Sequence, residues 1–275
     1  MKKVIKKTAF TFSSDFPGLR AVNIMAQSHP IEPFLVFTEF WMDRPVFGPH
    51  PHAGISVMTY LLSDSKTGFL NRDSAGDRSI IEPGGLHITQ AGMGIHHDEF
   101  PETTGQAAHG FQIWVNHADQ DRFADPKAMH ADAAQIPETE TEDYRVRILH
   151  GDFNGQTSFN QMLTNVTLLH VFLNAGKRIV LDAGEMAFAY CLSGSGVSEG
   201  EGFAAQNLLN FENNSDPVEI RAGENGCVFM FGTGKPLQEP IVYGGPFVMT
   251  TPEQMAETRR RYGRGEMGSL LPYRT

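Results

Sequence analysis

Two short clusters in this 275-residue chain carry side chains that could do metal chemistry: His50-Pro51-His52 and, further on, His97-Asp98-Glu99. Side chains two apart on a β-strand share a face, so each cluster can act as a two-toothed clamp on one metal ion without bending the backbone. Three imidazoles and a carboxylate leave open coordination positions, which fits a catalytic site better than a structural one. That donor set suits iron, manganese, nickel, copper or zinc. The segment Gly94-Ile95-His96-His97-Asp98-Glu99 offers a second pair, His96 with Asp98, on the opposite face. Period two forbids both pairs from pointing inward together, and spacing alone does not choose between them. The longer Glu side chain reaches a metal from a strand end more easily, a point for His97 with Glu99. All eleven histidines lie at or before His170, so if the chain has two halves only the first can hold an imidazole-based site.

The elements that must position these residues read as strands. Gly and Pro, 28 and 16 in number, punctuate short alternating or apolar runs, the rhythm of a sandwich or barrel of antiparallel strands. Strands are expected at Leu35 to Phe40, Ser56 to Leu62, Ser79 to Glu82, Phe111 to Val115 and Tyr144 to Leu149. In the second half they are expected near Leu168 to Leu173, Ala187 to Leu192, Gln206 to Phe211, Pro217 to Ile220 and Cys227 to Phe231. Turns are expected at Asp73 to Gly76 and Pro83-Gly84-Gly85. The polar stretch Asp119 to Asp143 reads as a long surface connection with a helical turn after Pro126. Tyr60-Leu61-Leu62-Ser63 is echoed by Tyr190-Cys191-Leu192-Ser193, a sign of duplication; at that offset His50 and His52 fall on Val180 and Asp182, so the second copy lacks the clamp. Near the end, Thr251 as N-cap, Pro252 at the first position and Gln254 closing a capping box predict a helix to about Tyr262, stopped by Gly263 and Gly265.

Composition narrows the function classes. Hydrophobic residues make up 40% and charged residues 20%, ordinary for a globular protein, and the length suits two domains. A net charge of -10 argues against a dedicated nucleic-acid binder. The basic run Arg259-Arg260-Arg261 reads as cations closing the C-terminal helix. Cys191 and Cys227 each sit in an apolar run and are expected as two buried thiols. The basic start, Met1 to Lys7, lacks a following signal-peptide core, and no apolar run is long enough to span a bilayer. A cytoplasmic location without membrane contact is expected.

With these residues laid out, the chain resembles the pirin family, whose members are two-domain cupins. The likeness is densest in Pro49-His50-Pro51-His52-Ala53-Gly54, Thr59-Tyr60-Leu61, Arg72-Asp73-Ser74-Ala75-Gly76, Ala91-Gly92-Met93-Gly94-Ile95, His97-Asp98-Glu99 and Ala108 to Asn116; a weaker block spans Gly234-Lys235-Pro236-Leu237 and Gly245 to Met249. It implies an all-β fold of two cupin barrels (double-stranded β-helix, or jelly-roll) in tandem with a short C-terminal helix. The N-terminal cupin, 1–145, would bind metal and the C-terminal one, 146–275, would be metal-free. It implies His50, His52, His97 and Glu99 as ligands of one divalent metal, commonly Fe(II), with Mn, Ni, Cu or Zn as alternatives. The chain departs from the family near the site: Pro83-Gly84-Gly85, Ile88-Thr89-Gln90 and Met93 stand where a Trp and an Arg are usual.

The resemblance further implies a quercetin 2,3-dioxygenase, a metal-dependent enzyme opening a flavonol ring with O2, with Glu99 also the catalytic base. Ile88, Thr89, Met93 and Gln112 are the expected substrate pocket, Trp114 is read as core, and His109 as either a core buttress or a substrate contact. His96 and Asp98 are expected to face outward. The alternative is a metal- or redox-sensing regulator acting through a protein partner, as described for eukaryotic relatives; a third reading is a cupin acting on a different small molecule.

Overall fold

The computed structural model describes residues 1–273 and is built almost wholly of antiparallel strands, with one α-helix among the described residues. In chain order the first part runs β1 (Val4–Ala9), β2 (Ser13–Phe16), β3 (Leu19–Met25), β4 (Phe34–Met42), β5 (His50–His52), β6 (Ile55–Leu61), β7 (Phe69–Asp73), β8 (Arg78–Ile81), β9 (Leu86–Gln90), β10 (Ile95–Pro101), β11 (Ala108–Asn116) and β12 (Lys127–Ala131). The second part runs β13 (Glu138–Glu140), β14 (Tyr144–His150), β15 (Asp152–Phe153), β16 (Gln156–Thr157), β17 (Val166–Leu173), β18 (Arg178–Leu181), β19 (Met186–Ser198), β20 (Glu201–Ala204), β21 (Asn207–Phe211), β22 (Val218–Gly234), β23 (Val242–Gly244), β24 (Phe247–Met249) and α1 (Pro252–Gly263).

The first barrel sets a seven-stranded sheet, ordered β12-β9-β6-β11-β4-β3-β2, against a four-stranded sheet, β5-β10-β7-β8. The second centres on a sheet ordered β1-β21-β19-β22-β17-β14-β13, with β18 and β20 alongside. Strand β6, Ile-Ser-Val-Met-Thr-Tyr-Leu, is buried at every position because both its faces are covered. Its Met58 and Tyr60 meet Phe188, Tyr190 and Met230 of the second barrel in a shared core, while Leu61 joins the floor of the first barrel. Phe188 packs edge-on against Phe34 and Phe37, ring centroids 5.3 and 5.2 Å apart. The two echoed tyrosines both cross this interface. The Tyr60 hydroxyl lies 2.7 Å from the Arg147 guanidinium and 3.0 Å from His170 Nδ1, whereas Tyr190 donates to Glu39 at 2.7 Å.

Several sequence-based expectations change. The Asp119 to Asp143 stretch is not a bare connection: it holds β12, which pairs with β9, and β13, which pairs with β14. Residues after Pro126 extend rather than coil, because Met129 and Ala131 fill the edge of the shared core. Val218 to Ile220 and Cys227 to Phe231 belong to one long bulged strand, β22, with the expected start at Pro217 falling just before it. The boundary expected after residue 145 falls inside β14, and β1 pairs with β21 of the second sheet, so the two barrels are not consecutive halves of the chain. Residues 274 and 275, the end of the expected second domain, lie outside the described residues. Cys191 and Cys227 are free and buried, and burial pushes both thiols up, to about 12 and about 11.

The C-terminal segment returns to the first barrel. Helix α1 carries the expected cap, with the Thr251 hydroxyl accepting from Gln254 N–H and the Gln254 side chain accepting from Thr251 N–H. Its Met255 packs with Ala53, Phe247, Met249 and Met267. Arg260 pairs with Glu257 and Arg261 with Glu266, so two cations of the basic run are used locally, and Arg264 beyond it joins the same carboxylates. Among the described residues no helix is long and apolar enough to cross a membrane.

Candidate metal centre

The clamps meet edge to edge. β10 pairs with β5 so that His97 lies opposite His50 and Ile95 opposite His52. His50, His52 and His97 bring one ring nitrogen each to within 4.8 Å of the others, and their ring centroids are 4.7 to 5.0 Å apart. Of the three, His52 and His97 are buried.

Hydrogen bonds fix the tautomers of two of these rings. His50 Nδ1 lies 2.9 Å from the Gly48 carbonyl and His52 Nδ1 3.2 Å from the Pro246 carbonyl. A carbonyl only accepts, so each Nδ1 carries the proton and each Nε2 presents a lone pair. His52 Nε2 and both nitrogens of His97 are buried without a protein partner. Burial lowers the pKa of all three, reinforced by neighbouring imidazoles: His52 to about 3, His97 well below the usual histidine range, and His50 downward. Neutral imidazoles with unpartnered lone pairs facing one point fit a divalent transition metal.

Glu99 stands apart from this trio. Its Oε1 accepts from the Thr59 hydroxyl and its Oε2 from Gln112 Nε2, both at 2.6 Å. Burial raises its pKa to about 7, with the Asp98 charge adding to the rise and the two hydrogen bonds opposing it. Period two puts His97 and Glu99 on one face and His96 and Asp98 on the other. Asp98, on the outward face, is nonetheless buried there under the Arg72 guanidinium, which donates to both its oxygens. His96 is half-buried beside Tyr262.

A cavity of about 520 Å³ opens onto this face, lined by His50, Glu99, Gln112 and Trp114 together with Phe40, Phe47, Phe69 and Tyr243. Of the four expected pocket residues only Gln112 lines it. Ile88 points the other way, into the core between the barrels; Thr89 is buried in the barrel interior without reaching the cavity; Met93 sits in the turn before β10, its N–H bonded to Ala124. Trp114, expected as core, lines the cavity with its ring 4.8 Å from that of His52. His109 lies elsewhere, stacked on Trp41 and bonded to Glu39 and Asp64.

Sequence reasoning missed two supports. Arg122, fully buried, donates to the Gly54 and Val248 carbonyls, to Asn116 and to Thr250, tying the turn after His52 to the C-terminal segment. Gly54 has φ of 77°, and a Cβ there would strike the Val248 carbonyl, so the turn requires glycine. Nothing local in the sequence marks Arg122. Gly54, next to the first clamp, was a visible signal.

Fold and site together define a bicupin with a three-histidine pocket in its first barrel. The pirin family model matches residues 19–115 and the pirin C-terminal cupin domain matches residues 168–268; the chain belongs to the pirin family. It is 33% identical over 241 residues to a pirin-like protein of Arabidopsis thaliana, covering 82% of this chain and 77% of that one. It is 31% identical over 270 residues to a Pseudomonas aeruginosa protein provisionally named quercetin 2,3-dioxygenase, covering 92% and 93%. The crystal structure of quercetin 2,3-dioxygenase from Acinetobacter baumannii superposes with a TM-score of 0.88 at 22% identity, covering 98% and 100%. A bacterial pirin of Escherichia coli in complex with nickel(II) superposes with a TM-score of 0.64 at 17% identity, covering 82% and 95%. At these identities the structural likeness is one of fold.

Proposed function

We propose that the protein is a metal-dependent dioxygenase that opens a flavonol ring, with His50, His52, His97 and Glu99 as ligands of one divalent metal, iron(II) by preference. The observation that carries this reading is Glu99: a buried carboxylate with a pKa of about 7, on the same strand face as the imidazole cluster, forming a wall of an aromatic-lined cavity. A carboxylate poised near neutral pH is suited to take a proton from a hydroxyl and to return it. The P. aeruginosa relative's name supports the substrate class, and the nickel complex of the E. coli pirin makes nickel the first alternative metal.

When bound, the metal supplies a Lewis acid that stabilises the flavonol oxygen as an anion. The chain's residues do the rest. Phe40, Phe47, Phe69 and Trp114 hold a planar aromatic body and keep water from it. Thr59 and Gln112 each occupy one lone pair of the Glu99 carboxylate, fixing its plane and leaving one further lone pair on each oxygen, enough for a ligand role and for receiving the substrate proton. The carbonyls of Gly48 and Pro246 hold the His50 and His52 rings in the tautomer that can ligate.

The test is anaerobic reconstitution with Fe(II) or Ni(II), then oxygen uptake with quercetin, comparing wild type with His52→Ala. Metal-dependent uptake lost in the variant supports the reading. One metal per chain with no uptake from any flavonol sinks it and turns attention to a metal-sensing role. Glu99→Gln should cost turnover more than metal content; equal loss would leave Glu99 a ligand only.

A further inference from the structure

A row of polar side chains crosses the inner face of the first barrel. Pairing register sets Asn23 opposite Thr38, Thr38 opposite Gln112, Gln112 opposite Thr59, Thr59 opposite His87 and His87 opposite His130. Directly opposed residues of an antiparallel pair share a face, so these form one line. Three of them, Gln112, Thr38 and Asn23, line the cavity beside Glu99. Their same-face neighbours two positions along the strands are apolar and line it too: Ala21 and Met25 on β3, Val36 and Phe40 on β4, Trp114 on β11. The cavity wall therefore has apolar lanes on either side of one polar line, which starts at the Glu99 carboxylate and ends at the solvent-exposed Asn23.

Hydrogen bonds within this line leave part of its capacity open. Gln112 Nε2 is spent on Glu99, and among the described residues nothing donates to Gln112 Oε1. The Thr38 hydroxyl donates to Asn23 Oδ1 at 2.9 Å, which leaves the Thr38 lone pairs and the Asn23 amide N–H groups without a protein partner among the described residues. With the Asn23 amide turned over, its N–H would donate to Thr38 and free the hydroxyl proton, so in either orientation the pair offers one donor and one acceptor. A phenolic hydroxyl both donates and accepts, and the pair matches it. A carboxylate or phosphate it does not match: among the described residues no Lys or Arg lines the cavity, and the exposed Asp15 does. Neighbouring strands lie ~4.8 Å apart, so Thr38 and Asn23 stand one and two strand spacings beyond Gln112. That offset carries them from the ring that meets Glu99 to a ring further out.

We propose that Thr38 and Asn23 are specificity-determining residues, which read a hydroxyl on the ring of an aromatic substrate furthest from Glu99. The site then takes neutral polyhydroxylated aromatics in preference to the same ring systems without that hydroxyl. The assignment of the Glu99 end as the reacting end rests on the dioxygenase reading. Phe40 and Trp114, in the apolar lanes, hold any planar body alike, and the polar line between them is what tells one such body from another. Thr38 is half-buried and Asn23 exposed, so a substrate lacking the hydroxyl leaves them solvated instead of stranded. The discrimination is therefore modest, about five- to tenfold.

Ligand binding tests this without turnover. Quercetin and the parent flavonol, whose only hydroxyl is the reacting one, are titrated calorimetrically into the metal-free chain and, under anaerobic conditions, into the metal-loaded one. In the double variant Thr38→Val with Asn23→Leu, both changes close in size, the ratio of the two affinities should shift against quercetin by about five- to tenfold. Asn23→Leu alone, at an exposed position where the fold is not at stake, should shift it part of the way, and Thr38→Ser should keep the wild-type ratio. A ratio unchanged in both leucine-bearing variants overturns the proposal while leaving the dioxygenase reading in place. A wild-type chain that binds neither flavonol overturns that reading and the proposal with it.

Discussion

The two barrels use one strand register for opposite ends. Matching them through the echoed tyrosines, each flanked by equivalent partners (Leu86 and Phe111, Leu208 and Met230), aligns the polar row Asn23, Thr38, Gln112, Thr59, His87, His130 with Ile148, Leu169, Phe231, Ala189, Leu209, Lys7. The second row, Lys7 aside, is buried apolar core. The backbone therefore does not dictate a site: the same cross-strand neighbours make a hydrophobic filling in one barrel and a polar interior in the other. The second barrel supplies cohesion through the shared core, and the first can then carry unpartnered polar atoms that a lone small barrel would tolerate poorly.

The largest effect should come from the clamp. His52→Ala removes a buried imidazole whose lone pair has no protein partner, and if it ligates as proposed metal affinity should fall at least about a hundredfold, measured as metal per chain after dialysis. Fold stability of the metal-free chain should change far less. If His52→Ala kept its metal, the active nitrogens would lie elsewhere and the contrast between the barrels would lose its basis.

Next comes the matching position of the other barrel. Phe231→Ala opens a cavity in a packed core and should cost roughly 3–5 kcal/mol in urea unfolding. Gln112→Ala, its counterpart in the first barrel, borders an existing cavity and should cost much less. Equal losses would show that the first barrel's interior is as tightly packed as the second's.

Glu99 gives the comparison a pH dependence. Its folded pKa of about 7 lies above the value of a free glutamate, so its contribution favours folding fully below the unfolded pKa and is lost as pH rises through 7. For the metal-free chain that loss amounts to roughly 3 kcal/mol. Metal-free Glu99→Gln should therefore be more stable than metal-free wild type at pH 8, with the difference shrinking toward pH 5. A pH-independent difference would mean that Glu99 ionises as it does in water.

Much of this was legible in the residues and some was not, for physical reasons. Period two writes a shared face into local spacing, so His50 with His52 stands out at once, whereas His97 with Glu99 and His96 with Asp98 were equally legible and the family resemblance selected the first pair. Thr59, His87 and His130 are single residues on three strands, and what unites them is a ladder register that no local pattern encodes. Ile88 and Thr89 could be given a common role in sequence, yet alternation sends them to opposite faces of β9. Strand β1, Val-Ile-Lys-Lys-Thr-Ala, was visible only as a basic start because its lysines interrupt any apolar alternation, and β12 is too short an edge strand to stand out from its polar surroundings. The lack of imidazole after His170 marked the second barrel as unsuited to the clamp, but that its matching row is apolar emerged only from the pairing.

The finest test exchanges one atom pair between the barrels. Thr59→Ala installs the residue that the second barrel has at Ala189 and removes the hydroxyl that donates to Glu99 Oε1. That hydrogen bond favours the ionised carboxylate against burial, so losing it should push the Glu99 pKa further above 7. A charge-assisted hydrogen bond of this kind amounts to about one pH unit. In the metal-free chain the loss of stability with rising pH should then begin higher by that amount, while the capacity for one metal per chain is kept, because the Thr59 hydroxyl bonds Glu99 and not an imidazole of the cluster. A loss that stays in place would assign the governing ionisation to another group, and Glu99 would be left held by Thr59 without being tuned by it.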